Sequence, residues 1–247
     1  MKISRLNQVY ASILIDAVYQ MRNYPITLVS NMIAPFSVLI LILLVSHGGL
    51  LSVSIEGALI TSMISAGVTL QIDLSHIKND FKLQDMLISS PTGAFTYTVG
   101  MAMAALTNAL PALSVLTVLS ILFIHASPIE VLTVVAAISL IFAFSVALGF
   151  MLSTFSTDIQ QNRANVSILT VVLATIAPIY YPITYIPIQI RDIAYLSPAT
   201  YAAEIAQNAI GDLPLSASNI TVNWIVLLAV SCALFAVAIK KSHWRDP

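Results

Sequence analysis

Charge is what this chain has least of: 9% of its 247 residues are Asp, Glu, Lys or Arg, while 58% are apolar. Soluble domains carry roughly 25% charged and 45–50% apolar residues. With a mean hydropathy of +0.93, a membrane protein is expected. Ten Lys/Arg against eleven Asp/Glu leave a formal charge of −1, so no basic field exists to gather a polyanion and nucleic acid is not expected as a partner. Cysteine is reduced to Cys232, inside an apolar run, which excludes an internal disulfide or a Cys-built metal site and suits a small packing residue. The histidines at 47, 76, 125 and 243 share no ligand spacing, so no metal site is expected. None of the eight glycines precedes a lysine, so the G-x-x-x-x-G-K-[ST] phosphate cradle is missing and any use of ATP must come from another polypeptide. G-x-S-x-G and H-E-x-x-H are missing too, and no catalytic residue is nominated.

What the chain has in abundance is long apolar runs. A hydrocarbon layer of about 30 Å needs about 20 helical residues. Stretches 26–46, 131–152 and 220–239 reach that length without one charged residue. Stretches 57–72 and 96–124 are read as short and long versions of the same, the latter with Pro111 inside. A fifth run, 164–185, contains Pro178 and Pro182, each of which removes a backbone hydrogen bond, so it is expected to bend or break. The pattern predicts an all-α integral membrane protein, one domain over 1–247, with six spans near 26–46, 53–73, 95–124, 130–152, 164–185 and 220–240. The first run follows residues without a small-residue cleavage pattern, so it is not read as a removable signal.

Six spans put both termini on one side. Lys2, Arg5, Arg22, Lys78, Lys82, Arg163, Lys240, Lys241 and Arg245 collect on one face and Arg191 alone on the other; the positive-inside bias therefore predicts cytoplasmic termini in a multi-pass protein of the cell membrane. Residues 1–25 are read as an amphipathic helix lying on lipid in that interface, with Ile3, Leu6, Tyr10, Ile13, Ala17 and Met21 as its apolar stripe and Asp16 off it. Residues 186–212 are too polar to span and too apolar for a plain loop. They are predicted as short re-entrant helices dipping into the outer interface, where the five tyrosines from Tyr180 to Tyr201 would suit them.

Deep positions are read as uncharged. Asn31, Asn108, Asn165 and Asn223 are assigned to helix–helix hydrogen bonds, and Glu56 and Asp73, near opposite ends of the second span, are expected to be solvated. Ser145, Gly149 and Ser153, four apart, would let another helix approach closely, within the chain in preference to a dimer contact.

Between the second and third spans stands "NDFKLQDMLISSPTG". Leu83, Met86 and Leu87 share one helical face, Asp80, Lys82 and Asp85 lie around the others, and Ser90-Pro91 ends the helix. Near 79–90 this makes a cytoplasmic amphipathic helix, the form in which one protein lays an apolar stripe into another's groove.

"LQDMLISSPTG" at 83–93, and "APIYYPITYIPIQIRDIAYLSPATYAAEIAQ" at 177–207, resemble the type-2 ABC exporter permeases, the daunorubicin-exporter-like subunits. In that family a charged loop helix precedes "LE-x-LL-x-SP", and a proline-broken span precedes "NP-x-TY". Gln84 stands where the acidic residue is usual, and Gln207-Asn208 where arginine often ends the region. The resemblance implies a six-span exporter half that moves a drug, lipid or peptide of amphipathic or hydrophobic character outward. It pairs with a second permease subunit, identical or paralogous, and docks two copies of a separate ABC ATPase, which holds ATP and Mg; this chain binds no cofactor itself. On that resemblance Asp80, Lys82, Leu83, Gln84, Asp85, Met86, Leu87, Ser90 and Pro91 form the coupling helix, and Pro178, Tyr181, Pro182, Pro187, Pro198 and Tyr201 the outer gate or re-entrant region. An ion-coupled transporter or channel without an ATPase remains the alternative.

Overall fold

The computed structural model describes residues 5–79, 94–155 and 159–241, and every regular element among them is helical. The amphipathic leader forms α1 (Arg5–Ile13), a π-helical turn (Leu14–Val18) and α2 (Tyr19–Asn23); Pro25 then opens α3 (Ile26–Val45). There follow α4 (Leu51–Asn79), α5 (Ala94–Phe123), α6 (Pro128–Phe155), α7 (Ile159–Ile176), a 3₁₀ turn (Ile183–Tyr185), α8 (Ile188–Ala194), α9 (Pro198–Ala209) and α10 (Ala217–Lys241). Five are long and apolar enough to cross a membrane, over Ile26–Val45, Leu51–Leu74, Thr96–Phe123, Pro128–Ser153 and Ala217–Ala238. α7, which opens on the polar Gln160-Gln161-Asn162-Arg163, is not among them. The predicted coupling helix, from Asp80 through Pro91, lies outside the described residues.

α4 is the hub. Of its membrane window 78% is buried, against 11–39% for the other four, and it packs on α3, α5, α6 and α7. Its closeness to α6 comes from missing side chains: a Cβ on Gly67 would stand 2.5 Å from the Ser145 Cβ, and one on Gly149 2.5 Å from the Gly67 carbonyl. Helices can approach this far only where small residues face each other. The stripe of Ser145 and Gly149 is thus filled from within the chain. Ile55, Ile60, Ile64 and Val68 of α4 then reach Leu116 of α5, Ile141 of α6 and the residues after α7 in one apolar cluster.

Antiparallel to α4 runs α7. Gln71 Nε2, toward the end of α4 that carries Lys78, donates to Asn162 Oδ1 at 2.6 Å. At the other end of α4, a Cβ on Gly57 would meet the Ile179 carbonyl, just past α7, at 2.6 Å. Gly57 and Gln71 lie 14 positions apart, about 21 Å of helix, so α7 and the residues just after it follow α4 over that length.

Two expectations are corrected. Only part of the leader's predicted stripe packs on the protein: Leu6 is 81% and Tyr10 62% exposed, while Ala17 of the same stripe is fully buried. The contact face also includes Ser12, which abuts Gly100 of α5, and Asp16, read as lying off the stripe, whose carbonyl accepts from Asn108. The fifth run ends as helix at Ile176 and not at 185, since Ala177 precedes a proline and such a residue avoids helical backbone. Pro35 and Pro111, in contrast, sit inside unbroken α3 and α5. Nine residues of α9 between Pro198 and Gln207 are buried in the protein, and Tyr180 belongs to the main core.

Docking of the leader carries a pH dependence. Burial pushes the Asp16 carboxyl from 3.8 up to about 6. The docked chain therefore holds its proton to higher pH than a free chain would, and docking weakens as pH rises from about 4 to about 6. With Asp16 half-buried and partly screened, on the order of tenfold more opening of α1 is expected at pH 7.5 than at pH 4. Hydrogen exchange over Arg5–Asn23 reads this, and Asp16→Asn should flatten it.

Candidate functional site

The proline-broken segment is built around missing donors. In a continuous helix the N–H of residue 182 would bond the carbonyl of residue 178; Pro182 has no N–H, so the Pro178 carbonyl is orphaned inside the protein. The backbone gives up the helix there, with Pro182 (φ −63°, ψ 146°) and Pro187 (φ −53°, ψ 139°) both extended. Gln207, 1% exposed on α9, replaces the lost donor: its Nε2 donates to the Pro178 carbonyl at 3.1 Å, with the carbonyls of Ile179 at 3.5 Å and Tyr181 at 3.4 Å. A neutral amide thus clasps the break at the position where the resemblance leads one to expect arginine. Gly211 (φ +84°) then ends the region in a left-handed conformation open to glycine, which lets the Asp212 N–H return to the Gln207 carbonyl at 3.0 Å.

A carboxylate fastens the same helix on its other side. Glu204, 2% exposed, accepts from Tyr195 O–H at 2.8 Å and from Asn223 Nδ2 of α10 at 2.6 Å. Burial, then the bond to Glu204, pushes the Tyr195 hydroxyl up to about 12, so it stays a donor at any physiological pH. Burial and the charge of Glu204 raise Tyr201 as well, and its hydroxyl donates to the Tyr195 carbonyl at 3.0 Å. The two rings lie 5.7 Å apart and tilted. The start of α9 is tied to the turn before it by Thr200 Oγ1, which donates to the Ala194 carbonyl, and to α7 by Ser197 Oγ, which donates to the Leu173 carbonyl at 3.4 Å.

Of the residues predicted for this region, Pro178, Pro182 and Pro198 are buried, Tyr181 and Tyr201 half-buried, and Pro187 exposed. Pro178 and Tyr181 meet through Gln207, and Tyr201 joins the Tyr195–Glu204 group, while Pro187 stands apart from both. Glu56 is a correction: it is not solvated but 2% exposed, its Oε2 has no protein hydrogen-bond partner, and Asp212 lies near enough for its charge to act on it. Asp212 in turn accepts from Ser52 Oγ. The expected solvation therefore fails at Glu56, and Glu204 is a second buried carboxyl that the sequence reading did not single out. The signal available for Glu204 was its place three residues after Tyr201 on a helix whose neighbours are alanine, which marks a face that must find polar partners.

The sequence profile of the ABC-2 type transporter family matches residues 7–210. The chain belongs to that family. The match runs from the leader helix through α9, so both regions that carry the resemblance lie inside it. A comparison with curated proteins returns no match. As an ABC-2 type transporter the chain is a multi-pass membrane permease subunit, a transport component of a family that works with an ATPase subunit.

Proposed function

We propose that this ABC-2 permease is one half of an ATP-driven exporter. Its basic end faces the cytoplasm, α7 makes a sixth crossing, and a second permease subunit, identical or paralogous, completes the pathway. The segment near 79–90 docks one of two copies of a separate ATPase, which holds ATP and Mg. Nucleotide-driven closing of the ATPases moves that handle, and the permeases alternate access to carry an amphipathic or hydrophobic drug, lipid or peptide outward.

One observation supports this reading above the others. α4, the most buried of the candidate spans, continues past its membrane window at Leu74 to Asn79 and leads directly into the charged amphipathic stretch. Force applied to residues 80–91 is therefore applied to the hub, which touches α3, α5, α6, α7 and α9. An attachment at α3 or α10, at the rim of the bundle, would have no such reach.

Co-reconstitution with its cognate ABC ATPase is the test. ATP hydrolysis stimulated by the permease, together with ATP-dependent transport, is the expected result. Full-speed transport by the chain alone on an ion gradient would replace the exporter reading with the ion-coupled one, for which the buried and incompletely partnered Glu56 would be the natural carrier group.

A further inference from the structure

A second feature lies at the other end of α4 from the clasp. Ser62, Ser65, Ala66, Thr69 and Asp73 recur at helical spacing along one face of α4 and form the floor of a cavity of about 130 Å³. Ala105, Asn108, Ala109 and Ala112 of α5 form one wall, Thr27, Ser30 and Asn31 of α3 the other, and Gln20 of α2 closes the end near Asp73. From Ser62 to Asp73 the slot is about 16 Å long. It has room for several waters or one polar headgroup, and such depth in an apolar layer is costly to line with polar groups unless they serve something.

Three of the lining hydroxyls spend their protons on the backbone. Thr27 Oγ1 donates to the Tyr24 carbonyl at 2.8 Å, Ser30 Oγ to the Thr27 carbonyl at 2.9 Å and Ser62 Oγ to the Ala58 carbonyl at 2.8 Å. Asn108 Nδ2 is directed to the Asp16 carbonyl at 3.3 Å and to Gln20 Oε1 at 3.4 Å. Each hydroxyl so engaged turns only lone pairs outward, as does the Asn108 Oδ1. The lining includes the Asp73 carboxyl and no Lys, Arg or His, and the Asp16 carboxyl lies near enough to act on Asp73. A polar lining with a carboxyl at one end and no cationic side chain disfavours phosphate, sulfate or carboxylate and attracts a cation rich in N–H or polarised C–H groups.

We propose that this slot binds the ammonium head of an amphipathic amine, with Asp73 opposing the charge and the tail lying along the apolar surface of α3. The proposal rests on the exporter reading only in calling that amine a transported substrate. The head could belong to a membrane lipid or to a soluble amphiphile, and the chemistry is the same.

The test measures binding of tritiated dodecyltrimethylammonium to the full-length chain in uncharged maltoside micelles, without ATPase or nucleotide. Saturable binding near one per chain is expected, displaced by dodecylamine but not by dodecyl sulfate or dodecanol. Asp73→Asn should weaken it at least tenfold, Asp73→Glu should retain it within about threefold, and Ser65→Phe, which fills the slot from its floor, should weaken it as Asp73→Asn does. Displacement of the probe by phosphatidylethanolamine but not phosphatidylglycerol assigns the site to a lipid; indifference to both assigns it to a soluble amine, and either agrees with the proposal. Wild-type affinity in Asp73→Asn and Ser65→Phe variants that elute as monodisperse protein, or equal displacement by dodecyl sulfate, would overturn it. Loss of ATPase coupling with binding intact would sink only the exporter reading, and coupled transport without saturable amine binding would sink only this one.

Discussion

Leu87→Arg is expected to abolish permease-stimulated ATP hydrolysis and ATP-dependent transport while leaving the chain in the membrane at its normal level. On the helical spacing expected for the stretch between α4 and α5, Leu83, Met86 and Leu87 would share one apolar face, and an amphipathic helix docks by burying such a face in a partner's groove. Placing a guanidinium there removes an apolar anchor and forces a charge into a dry contact, a change in the range of interface hot spots, about 2–4 kcal/mol or roughly 30- to 1000-fold in affinity. Charge reversal at Asp80 or Asp85 acts at the rim, on encounter and orientation, and an effect of about tenfold is expected. Insertion is spared because this segment lies beyond the apolar window of α4, which ends at Leu74. ATPase rate against permease concentration in liposomes measures all three variants; three unchanged titration curves would remove the handle from the account.

Glu204→Leu is expected to lower the thermal stability of the permease more than any other single change in the outer region. The carboxylate is the acceptor shared by Tyr195 O–H and Asn223 Nδ2; Asn223 stays buried when it is gone, while Tyr195 is half-buried. A buried donor left without a partner costs about 1–3 kcal/mol, a sizeable part of the 5–15 kcal/mol by which domains are usually stable. α9 would lose its polar tie to α10 and to the turn at Tyr195 together. Glu204→Gln, which can accept from one donor only, should fall between. Adding Asn223→Leu to Glu204→Leu should recover part of the loss, because removing both partners of a buried bond costs less than removing one. Melting curves of purified protein by size exclusion would show this order, and a Glu204→Leu midpoint equal to wild type would contradict it.

The ends of the first span and the site of the proline break were legible in the sequence for one reason. Each depends on a local quantity, the length of an uncharged run against bilayer thickness at 26–46 and a missing N–H at Pro182. The family's loop and "SPATY" motifs were legible too, as order along the chain. Glu204 and Gln207 were not, because what they bond lies 19 and 29 residues away on other elements. That Asp16 sits on the leader's contact face was not legible either, because the residue it meets, Asn108, lies 92 residues away.

By itself the sequence determined that this chain lives in a bilayer as helices and that these 247 residues hold no G-x-x-x-x-G-K-[ST] phosphate cradle. Composition and the absence of a phosphate cradle act without reference to neighbours. Tertiary structure alone decided which helix is the hub, since close approach depends on Gly67 meeting Ser145 and on Gly149 meeting the Gly67 carbonyl. It alone decided where polar groups could be afforded inside the layer. A carboxyl or an amide is costly in hydrocarbon until a donor or acceptor from a distant part of the chain stands within about 3 Å of it, and only folding brings that partner there.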